Sequence, residues 1–158
     1  MNCGSAVGDT IFWYFANGLK AKKVYAYEGS ANTYSALCSN LKYLPSDYRY
    51  VVQPINEYIS VDTAFEEKIT EKITLLNADI EGNELSMLKA MEDVIIKDRP
   101  VLAICAYHKK EDLLELPLYI SSIVEDYRFF LRKYEGTPWC GSNYFELVLY
   151  AIPVERCC

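Results

Sequence analysis

The chain lacks a long apolar run, a paired-cysteine motif and any Pro/Gly/Ser-rich linker, and it carries a single histidine, His108. Each absence removes a class of protein. No window approaches about 18 uninterrupted apolar residues, so a membrane span is not expected. No charged-then-apolar leader opens the chain, so no export signal is visible and a cytoplasmic location is expected. The cysteines Cys3, Cys38, Cys105, Cys140, Cys157 and Cys158 are irregularly spaced. Neither a disulfide framework nor a zinc site is expected from them, and no metal is assigned. Cys38 and Cys105 fall within apolar patterns and read as small core residues. A basic excess is also missing: 16 Lys and Arg against 22 Asp and Glu leave a net charge of −6. A nucleic-acid partner, which needs a face that neutralises phosphates, is therefore not expected. The phosphate-loop signature GxxxxGK[ST] and the GxSxG elbow are absent, which disfavours nucleoside-triphosphate hydrolysis and an ordinary hydrolase triad.

What remains is an ordinary globular composition over 158 residues, 51% hydrophobic and 24% charged. That length suits one domain covering residues 1–158. Short β-rich runs alternate with helical periodicity. Helices are expected over Asp9–Lys20, Ser30–Leu44, Glu84–Lys97 and Glu111–Val124, the last with Pro117 in its first turn. Strands are expected over Lys23–Tyr27, Tyr48–Val52, Ile73–Ala78, Pro100–Tyr107, Tyr127–Lys133 and Tyr144–Ile152. The rhythm implies a doubly wound α/β fold: a mostly parallel sheet, helices on both faces, and an antiparallel final strand pair at one edge. Ligands of such sheets sit at the carboxyl ends of the strands.

Four groups lie at those ends. In the loop Asn2 to Thr10, Gly4 and Gly8 permit close backbone approach to a ligand, and the helix that follows offers free N–H groups to an anion. Asp9 or Thr10 capping that helix is the plain structural alternative. Glu28 ends the next strand, where an acid suits ribose hydroxyls; it could equally be an exposed acid before a helix. Asp79-Ile80-Glu81-Gly82-Asn83-Glu84 follows an apolar strand. Helix-start electrostatics accounts for Glu84 but not for Asp79. His108 ends a further strand, in Tyr107-His108-Lys109-Lys110, where an imidazole could accept a proton from a hydroxyl. The GxxxG spacing departs from the dinucleotide fingerprint GxGxxG, so a nucleoside without a pyrophosphate bridge fits better.

Taken in order, Cys3–Thr10, Val24–Glu28, Ala78–Glu84, Leu102–His108 and Glu146–Ala151 resemble the FkbM family of S-adenosylmethionine-dependent methyltransferases, from Cys3 to about Pro153. The resemblance implies a Rossmann-like class I methyltransferase fold and methyl transfer to a hydroxyl oxygen of a small molecule, a sugar or a natural product. It implies that Gly4, Ser5, Ala6 and Gly8 line the methionine part of S-adenosylmethionine and that Glu28 holds its ribose. Gln53–Ile55, after the next strand, would lie near adenine, and Asp79 and Glu81 would border the methyl group. His108, then Asp79, are the expected catalytic groups that receive the hydroxyl proton. The family pattern has an acid where this chain has Asn2, and of its first, central strand only Met1, Asn2 and Cys3 remain. The expected sheet therefore keeps a stub strand or borrows pairing from a second copy in a homodimer. A shortened chain also raises an inactive cofactor-binding or interaction module as the rival reading, and a dinucleotide oxidoreductase is a second. The long loop carrying Trp139 is expected to form part of an acceptor lid.

Overall fold

The computed structural model describes residues 1–135 and 145–157. The chain runs β1 (Asn2–Cys3), α1 (Asp9–Ala16), β2 (Val24–Glu28), α2 (Ala31–Leu41), α3 (Ser46–Arg49) and β3 (Val52–Asn56). After a short 3-10 turn come β4 (Leu75–Ala78), α4 (Glu84–Ala90), α5 (Glu92–Asp98), β5 (Val101–Cys105), α6 (Asp112–Ile123), β6 (Tyr127–Glu135) and β7 (Phe145–Pro153). One seven-stranded sheet has the order β3-β2-β1-β4-β5-β7-β6. The first five strands of that order pair in parallel, and β7 runs antiparallel to both β5 and β6. The α/β architecture and the antiparallel final pair expected from the sequence are thus both present.

Two apolar layers cover the sheet. On one face Ile11 and Phe15 of α1 meet Leu37 and Leu41 of α2 against Ala26 and Val52. On the other, Met87, Leu88, Met91, Ile95, Leu116 and Ile120 pack on Leu76, Ala78, Leu102 and Ile104. Strand residues buried toward both layers explain why β2, β4 and β5 read as nearly continuous apolar runs.

Strand β1 is only a stub. Asn2 lies opposite Ala26 and Asn77, and Cys3 opposite Tyr27 and Ala78. Extending that register leaves Val24 of β2 and Leu75 of β4 with no β1 residue between them. A cavity of about 480 Å³ lies there, lined by Met1, Phe15, Val24, Tyr25, Ile73 and Leu75. It sits at the amino ends of the strands, opposite the end where ligands of this fold bind.

Several elements differ from the sequence expectation. Helix α1 stops at Ala16, and Asn17, whose side-chain amide donates to the Trp13 carbonyl, closes it. The run Tyr48–Val52 is not a strand. Pro45 opens the short helix α3 there, and β3 begins only at Val52. Gln53–Ile55 therefore lie inside β3, opposite Tyr25–Tyr27, rather than after a strand. Pro54 is tolerated because β3 is an edge strand. The expected helix Glu84–Lys97 is two helices that meet at Met91, whose φ of −102° and ψ of 11° leave the helical region. Its apolar stripe continues across the break, so the pattern reads as one helix. Pro117 stands within α6 rather than in its first turn. The missing N–H leaves the Leu113 carbonyl without its helical donor.

Candidate active site

The strand order reverses between β1 and β4: β2 and β3 extend to one side, β4 and β5 to the other. In an open α/β sheet the crevice outside such a switch point is where ligands bind. Gly4 follows β1 and Asp79 follows β4, so the sequence-expected loops meet at this point. Gly4 and Ser5 both donate to the Tyr27 carbonyl, at 3.0 and 2.8 Å, and Asp79 N–H donates to the Cys3 carbonyl at 3.0 Å. Only glycine fits at position 4. Its φ is +77°, and a Cβ there would lie 1.7 Å from the Asp79 carbonyl oxygen.

Beyond Gly4 the loop turns on Ala6, which has the left-handed φ of 44°. That conformation is unusual for a residue with a Cβ and is held by its surroundings. One contributor is Glu28: its Oε2 accepts the Ala6 N–H at 3.0 Å, while Oε1 accepts the Ser30 N–H at 2.8 Å. Ser5 is buried, and its hydroxyl turns back to the Asn2 carbonyl at 3.1 Å. Ser5 thus offers the crevice backbone rather than hydroxyl. Gly8, with φ of 94°, closes the loop and starts α1 with no side-chain cap from Asp9 or Thr10. As the N-cap residue, Gly8 has no side chain with which to cap the first turn of α1.

On the other side, Glu81 and Gly82 take consecutive positive φ values of 55° and 91°, a sharp turn between β4 and α4. The turn places Asp79, Glu81 and Glu84 around His108. The His108 Nε2 lies 3.3 Å from Asp79 Oδ1 and 3.5 Å from Glu81 Oε2, and its Nδ1 lies 3.0 Å from Glu84 Oε1. Glu81 is 90% exposed, whereas Glu84 is fully buried and also accepts the Ile80 N–H at 3.0 Å. Tyr107 donates its hydroxyl to Asp79, 3.2 Å from each carboxylate oxygen. Lys109 turns away, its Nζ donating to the Gly82 carbonyl.

Glu28 is bonded to the Gly4–Gly8 loop at Ala6, Asp79, Glu81 and Glu84 gather around His108, and Gly4 against Asp79 is the seam between the two groups. Gln53–Ile55 do not end a strand here. The residue that reaches Glu28 from β3 is Asn56, whose amide donates to the carbonyls of Glu28 and Gly29 at 2.8 and 3.2 Å. Sequence reasoning also missed Glu84 and Tyr107 as members of the cluster. The surplus of acids after β4 was the available signal for Glu84; nothing local marked Tyr107. Trp139 lies outside the described residues.

An open sheet of this order, with a glycine loop after its first strand, an acid ending the second and a carboxylate after the fourth, defines a class I methyltransferase fold. The chain belongs to the FkbM methyltransferase family: the Methyltransferase FkbM domain matches residues 2–134. A solved FkbM methyltransferase from Methylobacillus flagellatus KT is similar at 28% identity and a TM-score of 0.83, over 95% of this chain and 42% of that one. The chain thus spans about two-fifths of that relative's length. A precorrin-6y C5,15-methyltransferase from Geobacter metallireducens GS-15 aligns at 10% identity with a TM-score of 0.64, over 96% of this chain and 78% of that one. A putative rRNA-methylase from Clostridium thermocellum aligns at 9% identity with a TM-score of 0.61, over 96% and 85%. These last two share the fold alone. No curated protein matches the chain. Family and fold together imply S-adenosylmethionine as cofactor. Among the described residues no helix is long and apolar enough to cross a membrane.

Proposed function

We propose that this chain binds S-adenosylmethionine between the Gly4–Gly8 loop, Glu28 and the Asp79–Glu81 turn, and transfers its methyl group to a hydroxyl of a small acceptor. The observation that carries the reading is the convergence of three separate sequence segments on the β1/β4 switch point, with the Glu28 carboxylate bonded to the loop at Ala6. Glu28 fits a ribose. Each carboxylate oxygen has one lone pair engaged by backbone N–H, which leaves acceptor capacity for two vicinal hydroxyls. The close packing of Gly4 on the Asp79 carbonyl, where no Cβ fits, holds the glycine loop and the acidic turn side by side.

When bound, the cofactor supplies an electrophilic methyl group on a sulfonium centre. The chain's own residues then have three tasks. The glycine loop and Glu28 fix the cofactor's orientation, which matters because in-line attack depends on holding the reacting atoms about 3 Å apart. Asp79 and Glu81 border the methyl and acceptor side. The proton shed by the acceptor hydroxyl has two receivers close together, His108 Nε2 and Asp79 Oδ1. The exposed carboxylates of Asp79 and Glu81 repel a polyanion, and the chain carries a net charge of −6. Both features favour an uncharged polyhydroxyl acceptor, a sugar or a natural product, over nucleic acid.

The test is calorimetric titration with S-adenosylmethionine, followed by measurement of the demethylated cofactor released in the presence of sugars and hydroxylated metabolites. Binding with release supports the enzyme. Binding without release for any acceptor favours the inactive module, and NAD binding in its place favours an oxidoreductase.

A further inference from the structure

The His108 cluster has a feature that methyl transfer alone does not account for. The imidazole is nine-tenths buried, yet neither ring nitrogen makes an aligned hydrogen bond, although carboxylate oxygens stand 3.0 to 3.5 Å away. Glu84 is fully buried beneath it, and its Oε2 has no partner at all. A buried carboxylate left in this state is costly unless a positive charge completes it. Among the described residues, the ion pairs bring no lysine or arginine to Asp79, Glu81 or Glu84, and Lys109 is committed to the Gly82 carbonyl.

We propose that Asp79, Glu84 and His108 bind a divalent cation. One ligand atom from each of the three residues lies within 4.8 Å of the other two. An octahedral ion with bonds of about 2.1 Å places its donors roughly 3 to 4 Å apart, so small side-chain rotations close the site. Two carboxylate oxygens and one imidazole nitrogen suit Mn²⁺ or a neighbouring first-row ion better than Ca²⁺, which prefers oxygen alone. Tyr107, donating to Asp79, is the outer-shell group that holds one ligand in orientation. Glu81, 90% exposed and 3.5 Å from His108 Nε2, marks the solvent side of the cluster.

The purpose of the ion rests on the methyl-transfer reading: an acceptor oxygen on the cation is positioned for the methyl group and acidified, its proton leaving to solvent beside the exposed Glu81. In that state His108 is a ligand and the cation replaces it as the means of activating the hydroxyl. Closely spaced ligand pairs, the sequence mark of a zinc site, are absent from the chain. The proposed ligands come instead from two strand ends, with His108 reached through a different strand from Asp79 and Glu84.

The single histidine makes the test direct. With any affinity tag removed, the two imidazole C–H proton resonances belong to His108 without need of variants. Substoichiometric Mn²⁺ added to the cofactor-free chain is expected to broaden both beyond detection, and EDTA is expected to restore them. Asp79→Asn, checked for an unchanged circular dichroism spectrum, is expected to raise the Mn²⁺ concentration required by about 10-fold or more. Imidazole signals that stay sharp at stoichiometric Mn²⁺ would overturn the proposal, as would equal broadening in Asp79→Asn. S-adenosylmethionine titration of the same sample in EDTA tests the methylation reading separately. A chain that binds the cofactor but leaves its histidine signals sharp loses the cation and keeps the methyltransferase.

Discussion

The side-chain amide of Asn2 donates to Asn77 Oδ1 across the β1/β4 boundary at 2.6 Å, and Asn77 donates in turn to the Ala103 carbonyl on β5 at 3.4 Å. The two asparagines are register partners, so this relay crosses three adjacent strands just below the Gly4 seam. It ties the stub strand to the sheet. Asn2→Asp would replace the donor by a charged acceptor in a buried site. The Asn77 amide must then turn toward it and give up Ala103. The expected result is a loss of about 1–3 kcal/mol of stability, read as a lower urea midpoint at unchanged slope.

Glu28 serves two masters, the loop at Ala6 and the turn at Ser30. Glu28→Gln keeps the shape and one acceptor oxygen but loses the charge. Glu28→Ala loses both bonds and frees the strained Ala6. S-adenosylmethionine affinity is expected to fall roughly 10-fold in Gln and about 100-fold in Ala, following the 1.5–3 kcal/mol typical of hydrogen bonds to charged groups. Calorimetry reads both values, and an unaltered affinity would remove Glu28 from the site.

His108→Ala separates binding from chemistry. The imidazole touches the acids beyond the methyl side of the crevice, not the Gly4–Gly8 loop or Glu28. Turnover is expected to drop by about 100-fold or more, whether the imidazole takes the acceptor's proton itself or holds the cation that acidifies the hydroxyl. Cofactor affinity should stay within about twofold, since Glu28 and the loop are untouched. Full activity in a kinetic assay would dismiss His108 from the reaction.

Gly4→Ala probes the seam itself. The substituted residue would need a φ near +77° and would drive its Cβ into the Asp79 carbonyl, backbone that cannot rotate away. Either β1 must pull back from β4 or the Asp79 turn must open. A loss of several kcal/mol is expected, and thermal melting should show it before any ligand is added. Gly18→Ala is the control: that glycine also has positive φ, 78°, but nothing within 4 Å, so its penalty is backbone strain alone, about 1 kcal/mol.

Much of this was legible in the sequence because the strand ends announce themselves. Glu28 and Asp79 are polar residues that stop apolar runs, and Gly4 and Gly8 precede a helical stripe. Local pattern failed where tertiary context decided. Tyr48, Tyr50 and Val52 alternate as a strand would, yet Tyr48 stacks on Phe15 with ring centroids 4.4 Å apart and Tyr50 is 82% exposed, both from around helix α3. Met91 interrupts a helix without a proline or glycine to mark it. Glu84 sits at a helix start, where an acid needs no further explanation, and only the meeting of two strand ends shows it buried beneath His108. Position was legible where a single polar residue stops one strand, and not where two distant segments meet.

The far end of the molecule supplies a pH dependence independent of the active site. Arg99, at the left-handed end of α5, donates through Nε and Nη2 to the Glu155 carboxylate at 2.7 and 3.0 Å, and through its other N–H groups to the Glu125 and Asp126 carbonyls. Those bonds to Arg99 lower the Glu155 pKa from 4.5 to about 2. A carboxyl depressed in the folded state contributes stability that is complete above its unfolded value and lost as pH falls toward the folded one. The window is therefore from about pH 4.5 down to about pH 2. Glu155→Gln removes this group's share, so its melting temperature should fall less steeply than the native chain's across that window. The two should run parallel between pH 6 and 8. The pair is solvent-exposed, so about 1 M salt should shrink the difference. Acid melting curves with equal slopes at low salt would mean that Glu155 titrates alike in the folded and unfolded chains, and the Arg99 contact would then carry no acid-sensitive stability.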